Sequence, residues 1–366
     1  MITGHTADES LTRAAKGYRG RSVLITGADG FVGSHLAEAL VSWRADVHAL
    51  VRQPPHQLRN ITHLRDRLTV HQADVRDGQQ VRRAVEALRG RQGAIIFHLA
   101  AQAHVGDSWE KPEETLSTNI LGTLNLLRAT LDLDLDLHRF EYAGSSEEYG
   151  SFDASRAEKY GPQNKDGILL NESSPLNPKS VYATSKVAAD FLSRNLYDAY
   201  GLPAVVSRMF NNFGPRQSPR FITGTVITQA LAHQAVEIGR PQARRDFTYI
   251  DDGIRGHLLT GLYGQPGQVY VFGQGKNISI GQWAKMIIEL GRQNGIWGPK
   301  ELVSRPDRYR PGRTDEADLL ADSTRLKELC GWRPQVSWEE GLLRTIRWYA
   351  ENRSSWEGLV DWPQTG

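Results

Sequence analysis

The sequence predicts an α/β protein: a doubly wound parallel sheet followed by a smaller, mostly helical C-terminal domain. Three observations predict it. Short apolar runs alternate with amphipathic stretches over roughly the first 270 residues, the pattern of parallel strands joined by crossover helices. A glycine triplet, Gly27, Gly30 and Gly33, sits between the first such run and the first helical stretch. Beyond that region the pattern turns helical and irregular, without enough strand-like runs for a second complete sheet.

Composition narrows the function. The chain has 366 residues, 39% of them hydrophobic, enough for one large or two smaller cores. A formal net charge of +2, with arginines scattered rather than striped, argues against nucleic acid as a partner. A lone cysteine, Cys330, excludes an internal disulfide and a cysteine metal cluster, and no metal site is predicted. No apolar run approaches the ~20 residues of a membrane span. The first twenty residues, MITGHTADESLTRAAKGYRG, lack the apolar centre of a signal peptide. Residues 1–19 therefore read as a mobile extension, and a cytoplasmic protein is expected.

Taken in order, VLIT (23–26) is a buried strand and HLAEALVSW (35–43) a helix. The glycines between them allow a tight turn and close backbone approach, and the helix N-terminus can receive a pyrophosphate. This is a Rossmann-type dinucleotide loop, with Gly27, Asp29, Gly30, Phe31, Val32 and Gly33 as cofactor contacts. DVHALVR (46–52) is the second strand. An acid at its end would bind a ribose 2′-hydroxyl. Arg52 stands there instead and can pair with a 2′-phosphate, which favours NADP and leaves NAD as the alternative.

RLTVHQADVRD (67–77) is a third strand ending at Asp74 and Val75, placed to meet the adenine. AIIFHLAAQAHV (94–105) is a fourth strand and loop, in which Leu99, Ala100 and Ala101 are small enough for a cofactor to lie against the backbone. Asn119 is a polar residue in an apolar helical run, either a buried structural bond or a cofactor contact. The alternating LDLDLDL at 131–137 reads as a solvated loop or helix end. FEYAG (140–144) is a buried strand that delivers Ser145, Ser146 and Glu147 at its C-terminal end, where an open parallel sheet binds ligands.

Residues 151–170 read as a polar surface insert. In the helix that follows, Tyr182 and Lys186 are four residues apart, so phenol and ammonium share one face. A lysine cation near a tyrosine favours phenolate, which makes Tyr182 a candidate general base. LPAVVSRMF (202–210) and GQVYVFGQG (267–275) are further strands, and ISIGQWAKMIIELGRQ and SWEEGLLRTIRWYAEN are closing helices. The expected dinucleotide domain is 20–208 plus about 246–273. The second domain is about 209–245 plus 274–350, and 351–366 is a tail.

Together these motifs resemble the extended short-chain dehydrogenase/reductase superfamily, in its nucleotide-sugar epimerase/dehydratase branch, over roughly residues 20–350. The glycine loop, Tyr182 with Lys186, Asn211 in RMFNNFGPR and Arg245 in RRDFTYIDD fall in that branch's order. LAAQAHVGDSWEKPEETLSTNILGT and FNNFGPRQSPRFITGTVIT look like GDP-mannose 4,6-dehydratase and related bacterial 4,6-dehydratases. The resemblance implies a nucleotide-diphosphate sugar as substrate. Asn211 and Arg245 would hold its diphosphate and Arg310 would lie near the nucleotide end. Gln102, His104, Arg216, Phe221 and Thr223 complete the expected substrate contacts.

The resemblance also implies a redox dehydration. Tyr182 takes the C4 hydroxyl proton as hydride leaves for the cofactor, Lys186 lowers the Tyr182 pKa and with it binds the nicotinamide end of the cofactor at the ribose, and Ser145 orients the C4 oxygen. Glu147 then removes the C5 proton, water leaves C6 with Ser146 assisting, and the stored hydride returns to C6, so the cofactor is recycled. The family's trio reads Thr-Ser-Glu, so Ser145 replaces a threonine and keeps its hydroxyl. A 4-keto-6-deoxyhexose reductase, a 4-epimerase and a uronate decarboxylase share the fold and remain alternatives, as does a non-enzymatic nucleotide sensor. The helices at 115–130 and 180–199 are those the superfamily often pairs into a homodimer, or further into a tetramer.

Overall fold

The computed structural model describes residues 9–150, 159, 161–164, 167–309 and 319–360. In chain order the strands are β1 (Ser22–Thr26), β2 (Asp46–Val51), β3 (Thr69–Gln72), β4 (Ala94–His98), β5 (Leu137–Ala143), β6 (Gln163–Asn164), β7 (Gly167–Leu170), β8 (Ala204–Met209), β9 (Asn211–Phe213), β10 (Ala235–Ile238), β11 (Arg244–Arg245), β12 (Phe247–Tyr249), β13 (Val269–Phe272), β14 (Ile278–Ser279), β15 (Glu301–Ser304) and β16 (Leu319–Ala321). The α-helices are α1 (Glu9–Tyr18), α2 (Phe31–Ser42), α3 (Gly78–Glu86), α4 (Val105–Glu110), α5 (Pro112–Leu116), α6 (Gly122–Asp132), α7 (Val181–Tyr200), α8 (Ile222–Ala232), α9 (Ile250–Tyr263), α10 (Ile280–Gln293), α11 (Thr324–Cys330) and α12 (Trp338–Glu351).

Seven strands form one sheet in the order β13-β8-β5-β4-β1-β2-β3, and every pairing in it is parallel. β1, β4 and β13 are buried along their whole length, as strands covered by helices on both faces must be. The order reverses at β1, which has β2 on one side and β4 on the other. A crevice opens outside the carboxyl ends of strands at such a switch point. Two glycines shape it. Gly27 turns out of β1 at φ +69°, and a Cβ there would lie 3.0 Å from the Ala100 Cα. A Cβ on Gly33 would lie 2.2 Å from the Gly27 carbonyl oxygen, so α2 could not pack this close to the turn with any other residue.

α7 carries Tyr182 and Lys186, and its ends are well defined. The Ser180 hydroxyl accepts from the Ala183 amide at the N-terminus, and Gly201 closes the C-terminus at φ +70°. Its inner face is built of Ala183, Ser185, Ala189 and Ser193, all buried. Small side chains let the helix lie close to β5 and β8. Tyr182, Lys186 and Asp190 follow one another at four-residue intervals along the same face, and all three are buried.

Three sequence expectations change. Within the supposed mobile extension, residues 9–18 form α1, with Ala14 and Tyr18 buried. The Tyr18 hydroxyl donates to the Leu258 carbonyl at 2.7 Å, so an amphipathic face ties α1 to α9. The supposed tail also packs in part. Trp356 is buried, and its indole donates to the Tyr349 carbonyl at 2.8 Å. Finally, the insert is not wholly polar surface. Its apolar end forms β7, which pairs with β6 and β16, with Ile168 and Leu170 buried. Residues 151–158, 160, 165 and 166 of the insert lie outside the described residues.

The second domain packs α8, α10 and α12 around an aromatic core. Phe247 stacks on Trp283 with centroids 4.2 Å apart, and Phe213 meets the same indole edge-on. Short strand pairs, β9 with β12, β10 with β15 and β11 with β14, add to the helical pattern. No described helix is long and apolar enough to cross a membrane.

Candidate active site

A cleft of about 1970 Å³ runs between the C-terminal ends of the sheet strands and the second domain. Single small-molecule sites are roughly 300–1,000 Å³, so this one has room for two ligands of that size. Gly27, Gly30, Phe31, Val32 and Gly33 form one end of it. Gly30 caps α2 without a side-chain oxygen, which leaves the first-turn amides to an anion. Arg52, Asp74, Val75, Leu99, Ala100 and Ala101 continue this wall. A dinucleotide fits these residues: the glycines bring backbone close where a Cβ would intrude, and the wall beyond joins small and apolar groups to the charged Arg52 and Asp74.

Three members of the expected cofactor set have other duties. The Asp29 carboxylate accepts from the amides of Arg59, Asn60 and Ile61, fastening that loop over the glycine turn. The Asp74 carboxylate is paired with Arg76 at 2.6 Å. Asn119 resolves to its structural alternative. It lies in a π-helical turn, Ser117–Leu121, whose extra residue swings the side chain inward. Its amide nitrogen donates to the Ser185 hydroxyl at 2.8 Å and the Gln102 carbonyl at 3.1 Å. Its oxygen accepts from the Gln102 amide at 2.8 Å.

The middle of the cleft holds Ser145, Ser146, Glu147, Tyr182 and Lys186. Ser145 leaves β5 and caps a short 3-10 turn, accepting from the Glu147 amide at 3.2 Å. Lys186 donates to the Ala143 carbonyl at 2.8 Å, and its nitrogen is 5.9 Å from the Tyr182 ring centre. The expected fall in the Tyr182 pKa is not what this surrounding produces. Burial pushes the phenol up, and only the hydrogen bond from Ser145 pulls it down. Lys186 is itself lowered to about 8 by burial, with Glu148 and Glu141 opposing that fall.

Those two acids were not recognised from the sequence. Glu148 follows Glu147 directly in the turn, yet it is fully buried. One oxygen accepts from the Ser145 amide at 2.8 Å, and the other lies 3.1 Å from the Arg208 guanidinium. Arg208 also bonds Asp190 at 2.8 Å and the Tyr149 hydroxyl at 3.2 Å. Burial beside the Asp190 charge pushes Glu148 up to about 8. Behind Lys186, Glu141 pairs with His257 at 2.8 Å, both fully buried. The available signals were an arginine and a glutamate inside apolar strand patterns, and an aspartate four residues beyond Lys186.

Gln102 and His104, from the loop after β4, and Asn211, Phe221 and Arg245, from the second domain, also line the cleft. His104 caps α4 and pairs with Asp107, which is also held by Arg220 at 2.6 Å. Two further expected substrate contacts, Arg216 and Thr223, line the cleft as well and also hold protein partners. Arg216 forms a two-pronged pair with Glu38 on α2, at 2.6 and 2.8 Å, bridging the domains. The Thr223 hydroxyl accepts from the Trp283 indole at 3.0 Å. Arg310 lies outside the described residues. Nearby, the Arg240 guanidinium lies over the Tyr309 ring, and Arg308 pairs with Glu237 at 2.8 Å.

Known proteins share this organisation. A family model described as GDP-mannose 4,6 dehydratase matches residues 24–345. The dTDP-glucose 4,6-dehydratase of Escherichia coli is 28% identical over 367 residues, spanning 94% of this chain and 98% of the relative. A probable dTDP-glucose 4,6-dehydratase of Sinorhizobium fredii is 30% identical, spanning 93% and 95%. The crystal structure of a dTDP-glucose 4,6-dehydratase from Streptomyces venezuelae with NAD bound superposes with a TM-score of 0.77 at 28% identity. It covers 93% of this chain and 100% of that one.

Proposed function

The chain belongs to the GDP-mannose 4,6-dehydratase family, and on that premise we propose that it is a nucleotide-sugar 4,6-dehydratase, a lyase that forms a 4-keto-6-deoxy sugar. The observation that carries this reading is the placement of Glu147 on the same cleft wall as Ser145, Tyr182 and Lys186. A 4-epimerase has no C5 proton to remove, so a carboxylate there is what dehydration adds.

Tyr182 accepts the C4 hydroxyl proton, and Ser145 hydrogen-bonds the C4 oxygen and keeps it directed at the phenol. Lys186 lies beneath them as the local cation. When bound, the nicotinamide would take up the C4 hydride and give it back at C6 once water has left, as the proton held by Glu147 returns to C5, and its oxidised form would add a positive charge that favours the Tyr182 phenolate. The C4 ketone acidifies C5, and Glu147 removes that proton. The Ser146 hydroxyl assists water in leaving C6. Asn211 and Arg245 hold the diphosphate, work suited to a planar guanidinium. GDP-mannose, dTDP-glucose and UDP-N-acetylglucosamine incubated with the enzyme and no reductant test the reading. A 4-keto-6-deoxy product is expected from one of them. Turnover seen only with NADPH and a keto-sugar would overturn it in favour of a reductase.

The cofactor we infer is NADP. Arg52 ends β2 at the cleft, 59% exposed and only 3.8 Å from its acidic neighbour Glu114, so its guanidinium can turn to a 2′-phosphate. The Streptomyces venezuelae relative has NAD bound, which makes the contrast a sharp test. Arg52→Ala is expected to weaken NADP binding about tenfold or more and NAD much less. Equal losses, measured by titration, would refute NADP.

We further propose a homodimer through α5, α6 and α7. Leu121, in the turn that joins α5 to α6, and Phe191 on α7 are 53% and 44% exposed. A single-chain mass by sedimentation would rule it out. The compartment we propose is the cytoplasm, where nucleotide-linked sugars are made.

A further inference from the structure

One buried acid beside the cleft takes no part in the chemistry above. Asp190, Arg208 and Arg194 already form a paired group: Arg208 is 2.8 Å and Arg194 2.6 Å from the Asp190 carboxylate. Glu148 adds a second carboxylate to the same guanidinium with no exposure to water. Adding Glu148 costs stability, because a second buried acid brings its own desolvation penalty and has only Arg208, already shared with Asp190, to offset it. The upward push on Glu148 is the mark of that cost. An apolar side chain would fill the space without it. What Glu148 has that an apolar residue lacks is its bond to the Ser145 amide, 2.8 Å long.

That bond is one half of a reciprocal cap. The Ser145 hydroxyl accepts from the Glu147 amide while Glu148 accepts from the Ser145 amide. Ser145 is thereby held at its own backbone nitrogen, its side chain shares the cleft with Tyr182, and its hydroxyl is the neighbour that draws the phenol down against burial. The arginine joins the three elements involved: Glu148 on the turn after β5, Asp190 on the helix that bears Tyr182, and Arg208 itself on β8.

We propose that Glu148 is a positioning residue for oxidation at C4, fixing Ser145, and through it the Tyr182 phenol, by its bond to the Ser145 amide and its clip to Arg208. The proposal rests on the dehydratase reading only for the step it measures, and C4 oxidation is common to dehydratases and epimerases. In single turnovers with whichever of GDP-mannose, dTDP-glucose or UDP-N-acetylglucosamine reduces the cofactor, Glu148→Leu is expected to slow appearance of reduced nicotinamide. A loss of about 10- to 100-fold is the size expected for a small misplacement of a reacting group. Cofactor affinity stays at the parent value. Glu148→Gln, which keeps a carbonyl acceptor for the Ser145 amide, restores most of the rate. In a Ser145→Ala background the leucine penalty largely disappears.

A parent-like rate in Glu148→Leu overturns the proposal, as does a glutamine variant as slow as the leucine one, or an undiminished penalty in the Ser145→Ala background. Should the leucine variant not fold, Glu148→Asp decides. It keeps an acid for Arg208 but draws it back from Ser145 by one methylene, so a slowed reduction supports the proposal and a parent-like rate overturns it. Normal nicotinamide reduction in the parent without a dehydrated product would instead count against the dehydratase reading alone.

Discussion

Tyr182→Phe is expected to lower kcat by roughly 10²- to 10⁴-fold, the usual contribution of a positioned acid–base group. Cofactor binding should survive, because the ring remains and only the hydroxyl is lost. The phenol is buried and pushed up, and one hydrogen bond from Ser145 draws it down. It is therefore a base only when a cation is brought beside it. Lys186 is held back by its own bond to Ala143 and by burial. A variant that retains more than a tenth of parental turnover in a steady-state assay would remove Tyr182 from the reaction.

The second large effect is at Glu147. Glu147→Gln should still oxidise C4, so reduced-nicotinamide absorbance rises and persists, while release of the 4-keto-6-deoxy sugar falls by about 10²-fold or more. The amide keeps the size of the carboxylate and cannot take the C5 proton. Full activity in this variant would end the dehydratase assignment. It would leave an enzyme that only moves hydride at C4.

The fold was legible because its signals are local. Glycines at 27, 30 and 33 between an apolar run and a helix state a backbone requirement that other residues fail, as the 2.2 Å approach at Gly33 makes plain. The i to i+4 spacing of Tyr182 and Lys186 carried the same directness. Side-chain partnerships across the sheet were not legible. Nothing near Glu148 in the chain announces Arg208, 60 positions later, so its burial could not be read. Arg216 was expected only as a substrate contact, and its partner Glu38 lies far upstream on α2. Asn119 was ambiguous for a related reason: a π-helical turn is decided by what the loop at Gln102 needs, which local propensity does not encode.

α1 carries a practical corollary. A domain whose first strand starts at Ser22 invites trimming at the preceding glycine. Doing so would strip Ala14 and Tyr18 from beneath α9, leave the Leu258 carbonyl without its donor, and uncover the side of Leu262 that Gly17 now touches. The working boundary of the nucleotide domain thus falls about a dozen residues ahead of its nominal start, and affinity tags or fusion partners belong before Glu9.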